Sequence, residues 1–229
     1  MWALEHPYEG SRRPLLEGTP WGILGALALG VVLAFAAAQV GYLPRTMLSR
    51  LVMWAVHAAL LSTALEWAAA DEPGQPLRAL GLAVRPSAAA VAAALGIGGG
   101  LAIHLLLTAS RTLGYPIVLA PSRMVAGLAY DVAINVPGAE AFLRGALFNR
   151  AQRRWSFATA LVVSVLASVV RYLLDPALPK IPEVLLGALL YVALIAVANG
   201  WLVWWCGSLV PPLLVSLVFF TVYRLLRME

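Results

Sequence analysis

The stretch WGILGALALGVVLAFAAAQVGY, residues 21–42, contains no charged side chain. A helix needs about 20 consecutive apolar residues to cross the hydrocarbon core of a bilayer, and this run is long enough. Because lipid offers no partner to an unpaired backbone amide or carbonyl, a spanning segment of this kind must be helical. The stretch therefore predicts a transmembrane helix near the start of the chain.

Apolar runs of this kind recur along the 229 residues, of which 62% are hydrophobic and 12% are charged. Soluble domains average roughly 25% charged residues. These values predict an all-α polytopic transmembrane bundle, a single membrane-embedded domain over 1–229 that begins with a polar segment, 1–20. We predict about seven spans, at 21–42, 48–70, 87–109, 122–149, 156–175, 182–205 and 208–227. The fourth is the least apolar, and the last two are separated only by WWCGS. The sequence is therefore compatible with six to eight spans.

The charge balance, 16 basic against 11 acidic residues, is typical of membrane topology in so apolar a chain and does not indicate nucleic-acid binding. The dense RAQRRW cluster at 150–155 favours a cytoplasmic location for itself and for the N-terminus. Three glutamates before the first span, Glu5, Glu9 and Glu17, do not fit a cleavable signal peptide, so we expect the first helix to be retained. Cys206 is the only cysteine, which excludes an intrachain disulfide and a thiolate metal cluster.

A second stretch, NVPGAEAFLRGALFNR at 135–150, places two charges at membrane depth, where each costs on the order of 3 kcal/mol on insertion scales. Glu140 and Arg144 are four residues apart, so they lie on one helical face and are predicted to form an ion pair. Asp131 lies about 180° around an ideal helix from Glu140. A kink at Pro137 and Gly138 would change that angle.

Other ionisable residues fall near the ends of predicted spans. Glu66 lies at the end of the second span, and Arg171 with Asp175 makes a second pair four residues apart late in the fifth. Such a pair satisfies itself, so we interpret Arg171 and Asp175 as a structural salt bridge.

The segment AEAFLRG, preceded by Pro-Gly, resembles the E-E-x-x-x-R-G signature of the CAAX-protease and bacteriocin-processing family, also called CPBP or Abi. These proteins are intramembrane proteases of multi-helix fold. Three further parts are similar to family segments: PLRALGLAVRP at 76–86, ATALVVSVLAS at 158–168, and VLLGALLYVALI followed by GSLVPPLLVSLVFF at 207–220. The resemblance spans 76–220, and we expect a CPBP-like bundle in a bacterial inner (cytoplasmic) membrane.

The resemblance implies a catalytic set made of a glutamate pair, a histidine that closes an F-x-x-x-H motif and a final H-x-x-x-N motif. Together these groups would activate water for peptide hydrolysis. Glu140 matches the second glutamate and Arg144 the arginine. The other positions depart from the pattern: Ala139 for the first glutamate, Ser168 and Tyr172 for the second motif (or Ala167 and Arg171 in a register shifted by one), and Ser216 and Phe220 for the last.

All three histidines, His6, His57 and His104, precede the signature. A carboxylate without histidine partners is a weak general base, and by itself it makes a poor metal site. We therefore expect no metal, no cofactor and no proteolytic activity. The prediction is a pseudo-protease that serves as an accessory, assembly or immunity-type subunit and binds another integral membrane protein in the lipid bilayer.

Two alternatives stay open. An active intramembrane protease would require a site rebuilt around Glu140 from Asp131, Ser168 and Ser216. A haem- or pigment-binding subunit would use His57 and His104, each within a predicted span, although a lone intramembrane histidine is more often a packing residue.

Small residues are concentrated in LGALALG (24–30), AAAVAAALGIGGG (88–100) and LLGALL (185–190). Small side chains let helices approach closely. We predict that these faces pack mainly within the bundle, and that any face left over docks a membrane partner.

Overall fold

The computed structural model describes residues 16–82, 86–109, 117–119, 121–174 and 182–228. The order of elements is α1 (Trp21–Gln39), α2 (Arg45–Asp71), α3 (Pro76–Ala79), α4 (Pro86–Ala109), β1 (Ile117–Leu119), α5 (121–154), α6 (Phe157–Leu174), α7 (Pro182–Cys206), α8 (Val210–Leu225) and β2 (Leu226–Met228). The two strands pair antiparallel, with Val118 opposite Arg227. Apart from this short ribbon the described residues form helices and connecting turns, which confirms the predicted all-α class.

Each of the seven predicted spans contains a helix. Among the described residues, four helical segments are long and apolar enough to cross a membrane: Trp21–Gln39, Arg45–Asp71, Phe157–Leu174 and Leu189–Cys206. Shorter apolar helices cover Pro86–Ala102 and Val210–Thr221. The last two predicted spans are separate helices, because Gly207 adopts a φ of +61° after α7 and ends that helix before α8 begins.

Helix α5 corresponds to the fourth predicted span and continues beyond it. It is α-helical over Pro121–Tyr130, Val136–Glu140 and Asn149–Arg154, and π-helical over Asp131–Asn135 and Ala141–Phe148. Pro137 lies in the first turn of the middle α-helical part and has no amide to donate to the turn before it. Wider, π-helical turns thus flank the part that contains the proline on both sides. Such π-helical segments are rare and often occur at functional sites.

The hydrophobic core surrounds the C-terminal half of α5. Phe148 and Ala151 are fully buried there. A Cβ atom at Gly145 would lie 3.0 Å from the side chain of Leu80 and 3.2 Å from that of Leu209. The bare glycine thus lets the segment after α3 and the turn between α7 and α8 pack onto α5.

The small-residue run of α4 packs inside the bundle. A Cβ atom at Gly96 would lie 2.8 Å from the carbonyl oxygen of Pro211, and one at Gly100 would lie 2.9 Å from that of Val215. Helices α4 and α8 are therefore close enough that their backbones nearly touch, as the prediction for 88–100 requires.

Helix α1 packs differently. None of its residues is buried, and among the described helices it packs extensively only against α2. A Cβ atom at Gly22, Gly25 or Gly30 would meet no atom within 4 Å. The glycines of the run 24–30 therefore do not bring another helix into close contact within the described part of the bundle.

Candidate functional site

Glu140 lies in the middle of α5 and faces α7 and α8. Its Oε1 accepts a hydrogen bond from Ser216 Oγ at 2.7 Å and another from Asn199 Nδ2 at 3.0 Å. Asn199 Nδ2 also donates to Ser216 Oγ at 3.1 Å, so three helices contribute one side chain each to a closed triangle. Arg144 lies on the same face of α5, with its Nε 3.5 Å from Glu140 Oε2. We call these four residues the Glu140 cluster.

The Glu140 cluster is buried, since none of its members is more than 5% exposed. The ion pair predicted from the spacing of Glu140 and Arg144 is present, but it lacks hydrogen-bond geometry. Within the described residues, Glu140 Oε2 and Arg144 Nε have no hydrogen-bond partner. Their attraction is therefore that of two opposite charges in a low-dielectric interior, where removing either partner leaves the other charge uncompensated.

Asn199 is the member of the cluster that is not predicted from the sequence. It is fully buried on α7 and is followed by Gly200. A Cβ atom at Gly200 would lie 2.5 Å from Leu161 Cδ1, so the glycine brings α6 against α7 at this level. The feature of the sequence that could have indicated its role is a lone amide in the apolar run YVALIAVANGW. A polar side chain at membrane depth usually hydrogen-bonds across helices.

The chemistry of the cluster does not fit a divalent metal ion. Glu140 supplies the one carboxylate, and the guanidinium of Arg144 places a positive charge 3.5 Å from it. In the described part of the chain no group of three or more His, Cys, Asp or Glu side chains is arranged to hold a metal. What the cluster offers is a carboxylate, a hydroxyl and an amide in mutual contact.

The region that contains this cluster matches a known family. Residues 121–221 fit the family model of the type II CAAX prenyl endopeptidase Rce1-like proteins. Residues 121–221 are similar to this family, and we call them the Rce1-like region. The match confirms the resemblance predicted from the motif at 139–145, and together with the apolar helices it shows an integral membrane protein. No curated protein and no solved structure matches the chain.

Two of the substituted motif positions of the Rce1-like region lie in apolar surroundings. Ala139 is 6% exposed and belongs to the hydrophobic core. Phe220 is partly buried on α8 and packs edge-on against Phe219, with ring centroids 5.5 Å apart. Neither position contributes a polar group to the Glu140 cluster.

The residues of the rebuilt protease site considered above are only partly brought together. Ser216 contacts Glu140 directly, whereas Ser168 Oγ donates to the carbonyl oxygen of Ser164 at 2.7 Å within its own helix. Asp131 Oδ1 accepts a hydrogen bond from Asn135 Nδ2 at 2.8 Å. Of the three expected partners of Glu140, Ser216 is therefore the one that hydrogen-bonds to it in the described structure.

A second polar group, whose members are buried or partly buried, lies on the side of α5 that faces α2. We call it the His57 cluster; its members are His57, Tyr130, Asp131, Asn135 and Arg171. Arg171 Nη1 lies 2.6 Å from His57 Nε2 and 3.5 Å from Asn135 Oδ1. His57 Nδ1 lies 2.8 Å from the carbonyl oxygen of Met53 and 3.2 Å from the hydroxyl of Tyr130.

The hydrogen-bond partners fix the tautomer of His57. A guanidinium only donates, so His57 Nε2 accepts from Arg171 and must carry no proton. The ring proton then lies on Nδ1 and is donated to the carbonyl oxygen of Met53. Both ring nitrogens are thus engaged with protein groups, an arrangement that leaves neither facing a haem or pigment. The other haem candidate, His104, lies on α4, but its side chain is outside the described part of the structure. His6 and Asp175, the predicted partner of Arg171, are also outside the described residues.

The RAQRRW cluster is largely paired within the fold. Arg150 makes a two-pronged contact with Asp71, Nη2 to Oδ1 at 2.9 Å and Nε to Oδ2 at 3.1 Å. Its Nη1 donates to the carbonyl oxygen of Glu17 at 2.7 Å, and Arg153 Nη1 lies 3.6 Å from Asp71 Oδ2. Two of the three arginines therefore neutralise Asp71, and the cytoplasmic orientation drawn from this cluster stays a prediction.

Proposed function

We propose that this Rce1-like membrane protein does not hydrolyse peptides by the water-activating chemistry of the family, and that it serves as an accessory subunit. The observation that carries the proposal is the contact of Ser216 with Glu140 at 2.7 Å. Ser216 occupies the position at which the resemblance implies a histidine. A serine hydroxyl that donates its proton to Glu140 cannot also orient a water and take up charge as an imidazole does.

The same network has a structural use. Glu140, Asn199 and Ser216 join α5, α7 and α8 through three mutual hydrogen bonds. Side-chain hydrogen bonds between membrane helices are worth roughly 0.6–2 kcal/mol each. In this proposal, the position of the family's catalytic site holds a hydrogen-bond network that joins three helices in the middle of the bundle.

The partner in this proposal is another integral membrane protein, bound within the bilayer of a bacterial inner membrane. The supporting feature is α1, whose glycines at 22, 25 and 30 make no close contact within the described bundle. An assembly or immunity-type role fits a scaffold that is kept while its reactive groups are replaced.

The decisive experiment combines an activity assay with partner isolation. The purified protein is incubated with membrane-anchored peptides, and intact complexes are extracted from native membranes in mild detergent and identified by mass spectrometry. We expect no cleavage and a membrane protein recovered in fixed stoichiometry. Peptide cleavage that the variant Glu140→Gln abolishes would overturn the proposal, as would a protein that is recovered alone.

A second candidate function rests on the same distance. In a serine hydrolase, Ser216 Oγ would attack a scissile carbonyl carbon while its proton passes to Glu140 Oε1. Glu140 would then deliver that proton to the leaving group, and water would hydrolyse the acyl-serine ester. Asn199 Nδ2, 3.1 Å from the serine oxygen, is the adjacent donor.

Labelling with a fluorophosphonate separates the two candidates, because the reagent modifies activated serines. A serine hydrolase mechanism predicts labelling at Ser216 that is lost in Ser216→Ala and strongly reduced in Glu140→Gln. Ser168→Ala is the matched control, since that hydroxyl bonds within its own helix. An unlabelled wild-type protein removes the hydrolase candidate and leaves the accessory proposal intact.

A further inference from the structure

The His57 cluster is separate from the Glu140 cluster and has no part in either function proposed above. The two clusters lie on opposite sides of α5. On the α2 side, a Cβ atom at Gly138 would lie 2.7 Å from the carbonyl oxygen of His57, so the helices touch here. On the other side, Glu140 faces Asn199 and Ser216.

The link between His57 and Arg171 joins helices that otherwise pack little against each other in the described bundle. His57 belongs to α2 and Arg171 to α6, and α6 packs mainly on α7 and on the C-terminal half of α5. The guanidinium of Arg171 reaches His57 Nε2 at 2.6 Å. This contact therefore connects the two helices through polar side chains.

The contact depends on the charge state of His57. The charged groups that act on the ring from the described residues are Arg171 and Asp131, and Tyr130 is the other titratable group that touches it. Asn135 lies between Asp131 and Arg171 and hydrogen-bonds both. A proton added at Nε2 would point at the cationic guanidinium, and one buried carboxylate, Asp131, would then face two cations.

We propose that His57 Nε2 is a proton-binding site that works as a lock between α2 and α6. Neutral His57 accepts the hydrogen bond of Arg171 and holds the two helices together. Protonated His57 repels Arg171 and turns into a donor toward Asn135 and Asp131. Acidification therefore frees the C-terminal end of α6 from α2.

The lock connects to the helix that carries Glu140. Ser164 of α6 donates through Oγ to the carbonyl oxygen of Leu143 at 2.9 Å, next to Arg144 in the π-helical part of α5. π-helical backbone has irregular hydrogen bonding. Movement of α6 would therefore reach the segment that positions the ion pair of Glu140 and Arg144.

The test uses the full-length protein in detergent, with ¹⁵N-labelled histidine. Nuclear magnetic resonance at pH 8 should show one histidine as the neutral Nδ1–H form, which converts to the doubly protonated form only on acidification to pH 3, because a proton on Nε2 must displace the guanidinium of Arg171. The thermal midpoint of the wild type should fall over the same pH range by about 2–4 °C or more. A shift of this size is expected in a chain of this length when one contact, here that of His57 with Arg171, is lost.

The variants assign the effect. His57→Gln keeps an acceptor for Arg171 but takes up no proton, so its thermal midpoint should not fall with the wild-type curve, whereas His104→Gln and His6→Gln should retain the fall. If His57→Gln fails to fold, the spectra of the other two variants still identify the His57 signal by elimination. A His57 ring that is already protonated at pH 8, or that stays neutral at pH 3, overturns the proposal, as does an unchanged pH response in His57→Gln.

Discussion

Ser216 on α8 and Glu140 on α5 meet through a hydrogen bond of 2.7 Å between Oγ and Oε1, although 76 positions separate them along the chain. Both side chains are buried, and Asn199 donates to each of them. The carboxylate is therefore stabilised by neutral donors on one oxygen and by the charge of Arg144 near the other. The following substitutions probe this arrangement.

Ser216→Ala removes one of the two hydrogen bonds that Glu140 Oε1 accepts and leaves that of Asn199 in place. A side-chain hydrogen bond between membrane helices contributes roughly 0.6–2 kcal/mol, so we expect the free energy of unfolding in detergent to fall by this amount. Thr221→Ala is the matched control on the same helix, because its hydroxyl donates only to the carbonyl oxygen of Leu217 within α8. Equal losses in the two variants would contradict a specific contribution from the contact of Ser216 with Glu140.

Arg144→Leu leaves the buried carboxylate of Glu140 without its counter-charge. Breaking a buried ion pair from one side costs about 3–5 kcal/mol, so folded yield and thermal stability should drop sharply. The double variant Arg144→Leu with Glu140→Gln should recover a large part of the loss, since no charge then remains unpaired. Size-exclusion chromatography of detergent extracts measures the yield, and unchanged yield for Arg144→Leu would show that the pair does not matter for stability.

Gly138→Ala tests the contact between α5 and α2. The added Cβ atom would lie 2.7 Å from the carbonyl oxygen of His57, which forces the helices apart. Overpacking of this kind costs about 1–3 kcal/mol, measured as a lower thermal midpoint. The same change at Gly25 of α1 meets no atom within 4 Å and should leave stability nearly unchanged or slightly higher. A Gly138→Ala variant as stable as Gly25→Ala would mean that the two helices are not in close contact.

Most of the fold could be predicted because its cause is local in sequence. The apolar run at 21–42 needs no tertiary information to become a helix in lipid, and the spacing of Glu140 and Arg144 alone puts both on one face. The π-helical parts of α5 were not predictable in this way. They depend on how the chain around Pro137 accommodates a missing amide while it packs against α2 and α8, and that is a property of the assembled bundle.

The candidate sites show the same limit. Asn199 joins Glu140, and His57 joins Arg171, across 59 and 114 positions of the chain respectively. The predicted partner of Arg171, Asp175, is four residues away and lies outside the described residues, whereas the distant imidazole that contacts the Arg171 guanidinium was not predicted. Such cross-helix pairs depend on the register between helices, which one sequence without its fold does not specify.

Arg150→Ala tests how the segment before α1 is held. The guanidinium of Arg150 binds both carboxylate oxygens of Asp71 and the carbonyl oxygen of Glu17, and it lies 4.5 Å above the ring of Trp67. Its removal leaves Arg153 as the described ionic partner of Asp71 and takes away the hydrogen bond to residue 17, so we expect the free energy of unfolding to fall by about 3–5 kcal/mol. Limited proteolysis should also cut residues 16–20 faster than in the wild type.

Arg78→Ala is the control for that variant. Arg78 is half-exposed and lies 3.9 Å from Glu72, and surface ion pairs of this kind contribute about 0–1 kcal/mol. Thermal stability and the proteolysis rate at residues 16–20 should therefore stay near wild type. Arg150→Lys should resemble Arg150→Ala more than the wild type, because an ammonium group cannot bind both oxygens of Asp71 and the carbonyl of Glu17 at once. A fully stable lysine variant would show that charge alone, without the planar geometry of the guanidinium, fastens the segment.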